Sequence, residues 1–68
     1  MWKRGVIKLY DRASGLGTIG CVGNPDVKFN ADRIIAKDKN GLKQGDAVWF
    51  KVENILNDHS AIDIKKCM

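Results

Sequence analysis

Gly15-Leu16-Gly17-Thr18-Ile19-Gly20 fits G-x-G-x-x-G, a spacing that can bring backbone close to a pyrophosphate. That chemistry needs a helix whose N-terminus faces the phosphates. Cys21-Val22-Gly23-Asn24-Pro25 follows instead, which cannot start one, and 68 residues are too few for the remaining parallel sheet. The glycines are read as points where strands bend or backbones pack closely. His59, the single histidine, stands beside a turn with no partnered nucleophile, and is read as a surface loop residue. One histidine and two distant cysteines, Cys21 and Cys67, offer no zinc-ligand spacing. Cys21 is read as a small hydrophobe at a strand end. No carboxylates are paired for acid–base work. Neither an enzyme nor a cofactor is expected.

The remaining chemistry is cationic. Twelve Lys/Arg against eight Asp/Glu give a net charge of +4. The excess lies in two stretches. Lys3, Arg4, Lys8 and Arg12 outnumber Asp11 in the first, and Arg33, Lys37, Lys39 and Lys43 outnumber Asp38 in the second. If the stretches meet they form one basic surface for a polyanion; otherwise they are solvated loops.

A chain of this length makes one domain and buries only roughly 60% of its unfolded surface, so its core is thin. Met1-Trp2-Lys3-Arg4 is followed by no apolar stretch of signal-peptide length, and no segment is long enough to span a membrane. A soluble cytoplasmic protein with reduced thiols is expected.

Short β-branched runs separated by turn residues predict an all-β domain. Strands are expected at Val6 to Tyr10, Leu16 to Val22, Val27 to Ala31, Ala47 to Glu53 and Ser60 to Lys65. Asp11 to Gly15, Gly23 to Asp26 and Asn57-Asp58 carry turn chemistry, and Lys37 to Gly41 reads as a polar loop. Asp32 is expected to cap one helical turn through Ile35. Alternation directs Val27 and Phe29, Val48, Phe50 and Val52, and Ile62 and Ile64 inward. Five strands satisfy their edges best by curling into a small barrel.

In this order, the elements resemble the bacterial cold-shock domain over essentially the whole chain. The matching residues are Gly5, Lys8, Gly15, Gly17, Ile19, Asp26-Val27, Ile34, the element Leu42, Gly45, Val48 and Phe50, and Ala61. The resemblance implies a five-stranded antiparallel OB-type β-barrel. It also implies single-stranded RNA or DNA as a partner, held by two motifs on neighbouring strands. The first, similar to Lys-Gly-Phe-Gly-Phe-Ile, here reads Ser14-Gly15-Leu16-Gly17-Thr18-Ile19. The second, similar to Val-Phe-Val-His-Phe, reads Val27-Lys28-Phe29-Asn30-Ala31. A Trp-Phe pair on the first strand has become Leu9-Tyr10. Of the exposed rings, only that of Tyr10 remains, and Phe29 counts as core.

The implied surface is Lys8, Tyr10, Leu16, Thr18, Lys28 and Asn30, with Lys3 and Arg12 at its rim. Lys8 and Lys28 would engage phosphates, Tyr10 would stack one base and Asn30 would bond a base edge. A stacked base is worth roughly 1–3 kcal/mol, so loss of several rings leaves weak, phosphate-directed binding. The family setting is that of an RNA chaperone or expression regulator. An alternative function uses Leu9 and Leu16 as an apolar patch for a protein partner or a homodimer. Trp49 is expected to point out of the barrel. It either packs beneath the N-terminal segment or a loop, or serves as a relocated contact for a base or a protein.

Overall fold

Alternating apolar positions and turn residues produce five strands: β1 (Lys3–Asp11), β2 (Leu16–Cys21), β3 (Asn24–Asn30), β4 (Ala47–Ile55) and β5 (Asp58–Lys66). The computed structural model describes residues 2–21, 23–35, 38, 41–56 and 58–67. The strands close into a barrel in the order β1-β2-β3-β5-β4, with β4 paired back onto β1. This all-β, five-stranded barrel is the OB-type architecture expected. Four of its seams are antiparallel, and the β3–β5 seam is parallel at Lys28↔Ser60. The parallel seam follows from parity, since five strands cannot alternate direction all the way round a closed ring.

The interior is built from Ile7, Ile19, Phe29, Ile34, Leu42, Val48, Phe50, Ala61 and Ile64, all buried. Val27 and Val52 point inward as expected and are half-buried against this cluster. Ile62 departs from the expected alternation. Trp49 pairs with Lys65 and Lys51 with Ile62, so Asp63 and Ile64 together face one residue of β4. This β-bulge, with Asp63 at φ 53°, turns Ala61 and Ile64 inward and leaves Ile62 on the outer side, beside Lys51.

Two further corrections have similar local causes. Gly23 to Asp26 was expected as a turn, yet β3 already begins at Asn24 and Gly23 alone keeps a turn dihedral, at φ 76°. Pro25 fits within β3 because the β2–β3 register slips between Ile19 and Cys21, and a bulged position needs no ladder donor. The turn after β3 is a 3-10 turn at Ala31–Arg33, capped by Asn30 rather than by Asp32. Asn30 is still extended, at φ −115° and ψ 146°, and its side chain accepts from Asp32 N at 3.3 Å.

Described residues between β3 and β4 bond back to the strands. Ile35 N donates to Ile64 O (2.9 Å), Gly45 N to Ile7 O (2.8 Å), and Ile7 N to Asp46 O (3.0 Å). Asp38 accepts from Lys66 N at 2.8 Å. The rest of the expected 37–41 loop up to residue 40 lies outside the described residues, as does Asn57 of the expected last turn; Asp58 opens β5.

Candidate nucleic-acid interface

The β1–β2–β3 register decides which side chains share the outer face. Leu9 pairs with Thr18 and Thr18 with Lys28, giving one row across three strands. Asp11, Leu16 and Asn30 form the next. The expected Leu16, Thr18, Lys28 and Asn30 therefore stand together, joined by Leu9. A concavity of about 560 Å³ opens among Leu9, Tyr10, Leu16, Thr18, Lys28 and Phe29.

Tyr10 does not stand free on this face. A register slip between Ile7 and Leu9 places it opposite Gly17, on the inward-facing row. Its ring is half-buried and tilts against Phe29 at 5.4 Å between centroids. Phe29 is core, as expected.

The same slip leaves Lys8 as the extra residue of β1. Its aliphatic stem passes over Gly20, where an added Cβ would lie 2.8 Å from Cδ. Its ammonium then reaches Asp26 on β3 at 3.0 Å. Lys28 lies 3.9 Å from Asp58. Both expected phosphate contacts thus have carboxylate neighbours. Exposed pairs of this kind are worth only about 0–1 kcal/mol, so an arriving phosphate can compete for the lysines.

Asn30 spends its Oδ1 on the 3-10 cap, which limits what it can offer a base edge. Arg12, just after β1, donates from Nη2 to Leu42 O at 2.8 Å. That bond is to a backbone carbonyl and brings no cation of the second stretch beside the first. Lys37 and Lys39 lie outside the described residues. Lys3 sits at the other end of β1, opposite Phe50, and lines a different cavity with Cys21, Val52 and His59.

Trp49 lies beside the N-terminal strand, with the Arg4 guanidinium 5.9 Å from its ring centroid. Cys21 and Cys67 are free and half-buried. Among the described residues, no helix is long and apolar enough to cross a membrane. The fold defines the class, a small closed OB-type barrel. Compared with known proteins, the chain matches no family model and no curated protein at a significant level.

Proposed function

We propose that the protein is a divergent cold-shock-like module that binds single-stranded RNA or DNA weakly, in the cytoplasm, mainly through phosphate contacts on the β1–β2–β3 face. The observation that carries this reading is the open cross-strand row Leu9–Thr18–Lys28, with Lys8 astride β2 beside it. Two weakly paired ammoniums flank a surface able to accept an extended strand. The role is binding rather than catalysis, and fits an RNA chaperone or expression regulator.

Titration with a short oligopyrimidine tests it. Log affinity should fall with log salt at about −0.7 per phosphate neutralised, Lys8 and Lys28 together contributing about −1.4 if each engages one. Tight binding that ignores salt would contradict the reading.

Restoring rings should strengthen the interaction. Leu16 is 57% exposed and the half-buried Thr18 lies on the outer row between Leu9 and Lys28, so Leu16→Phe with Thr18→Phe can enter without disturbing the core. The pair should tighten oligonucleotide binding by at least about tenfold, as measured by fluorescence anisotropy. Unchanged affinity in a folded double variant would mean that the strand does not cross this face.

A second reading rests on the 62% exposure of Leu9 beside Leu16. Two leucines open to water on one face suit a protein partner or a second copy of the chain. Concentration-dependent dimerisation that Leu9→Lys abolishes, with no oligonucleotide bound at low salt, would favour it.

A further inference from the structure

On the β1–β2–β3 face the Tyr10 ring is half-buried against Phe29, yet the barrel carries a ring cluster elsewhere. Trp2 lies just before β1 and is 42% exposed. The ammoniums of Lys51 on β4 and Lys65 on β5 stand 4.8 Å and 4.5 Å from its centroid. Arg4 pairs with Trp49 in the ladder and lies over that ring, and Trp49 pairs in turn with Lys65. Trp2, Trp49 and Lys65 line a cleft of about 270 Å³. Two indoles and three cations thus share the outer surface of β1, β4 and β5.

The cations of this cluster are paired differently from those of the β1–β2–β3 face. Lys8 and Lys28 both have carboxylate neighbours. Here Lys51 is paired with Asp63 at 4.0 Å, much as Lys28 is with Asp58, but neither Arg4 nor Lys65 has a carboxylate within ion-pair distance among the described residues. Positive charge on this side is therefore less compensated and is directed at aromatic faces.

We propose that the Trp2–Trp49 cleft is a base-stacking subsite for a single-stranded polynucleotide, with Arg4, Lys51 and Lys65 contacting the phosphates on either side of the stacked base. The chemistry is that of single-strand binding in general, in which aromatic faces take bases and flanking cations follow the backbone. A stacked base gains more than an exposed cation–π contact, so a base can displace an ammonium from the Trp2 ring. The displaced ammonium then lies beside the backbone that brought the base. A separate concavity is lined by Arg4, Val6 and Gly20, the glycine that the Lys8 stem crosses. The subsite rests on the single-strand reading given above, and it supplies the stacking that the β1–β2–β3 face has lost.

Rings and cations leave different marks on a salt titration, and that difference tests the subsite. The full chain and its variants would be titrated with labelled oligothymidylate and oligouridylate of about 8 nucleotides, within the site size of one OB barrel. Trp2→Ala should weaken binding by at least about fivefold with an unchanged salt slope, because no charge is lost. Trp2→Phe should recover part of that loss. Lys65→Gln should make the slope shallower by up to about 0.7, and so should Lys28→Gln on the other face. Both probes should quench tryptophan emission.

If Trp2→Ala and Lys65→Gln bind as the parent does while Lys28→Gln loses affinity, the subsite is refuted and the β1–β2–β3 reading survives. If the parent binds neither probe at low salt, both fail together. Self-association that Trp2→Ala abolishes would then assign the cleft to a second copy of the chain. Thermal melts monitored by far-UV circular dichroism confirm that each variant compared is folded.

Discussion

Gly17→Val is expected to leave most of the chain unfolded at room temperature, and Gly17→Ala to lower the melting temperature by at least about 10 °C. A Cβ at Gly17 would lie 2.5 Å from the Leu9 carbonyl oxygen and 2.6 Å from both Cε1 and Cζ of Phe29. Neither neighbour has room to retreat. The carbonyl belongs to the β1–β2 ladder, and the Phe29 ring is buried with Tyr10 packed on it. Overpacking a well-filled core typically costs 1–3 kcal/mol, and a clash with backbone belongs at the upper end. At roughly 0.05–0.15 kcal/mol per residue, a chain of this size has about 3–10 kcal/mol in all. Each kcal/mol moves the midpoint by about 4–8 °C in a domain this small.

Gly20→Ala is the matched control. Its added Cβ meets Lys8 Cδ at 2.8 Å and Cγ at 3.0 Å, atoms of a flexible side chain that can swing aside. It should melt within a few degrees of the parent while loosening the Lys8–Asp26 pair. Equal melting of the two alanine variants would mean that Phe29 is not seated on Gly17.

These glycines also mark the limit of what the sequence discloses. Strand β4 is legible because two-residue alternation is a local property, and Val48, Phe50 and Val52 all turn inward. Ile62 is misread because a bulge at Asp63 resets the alternation, and nothing next to Asp63 in the chain announces a positive φ. Lys8 is legible as a cation of the outer face. Its reach over Gly20 to Asp26 depends on a register slip in one ladder and a side chain from another strand. Asn30 and Asp32 are equivalent capping candidates by residue type, and only the extended backbone at Asn30 separates them. The Trp2 cluster is the extreme case. Residues 2, 49, 51 and 65 come together only after the barrel has closed through the β1–β4 and β4–β5 seams. Composition reveals two tryptophans and an excess of cations; closure brings them to one surface.

Phe50→Ala should be the most damaging truncation in the barrel, with a loss of about 3–5 kcal/mol. Phe50 is the largest of the fully buried side chains. Its ring reaches across to β1, where an added Cβ on Gly5 would lie 3.2 Å from Cε1. It also stands at the β4 position faced by the Asp63–Ile64 bulge, where the ladder itself is irregular. Removing the ring opens a cavity under three strands at once, and the backbone around Gly5 cannot collapse into it without breaking the β1–β4 pairing that closes the barrel. Against a total of roughly 3–10 kcal/mol, such a loss leaves a partly or wholly unfolded population. Phe50→Leu keeps most of the apolar volume and should unfold cooperatively at a moderately lower urea midpoint, with the slope of the transition unchanged. Because closure also assembles the Trp2 cluster, tryptophan emission should shift to the red in step with the loss of β-sheet signal as Phe50→Ala unfolds. If Phe50→Ala melts within a few degrees of the parent, the interior is not packed around that ring, and the β1–β4 seam must be held by something other than the core beneath it.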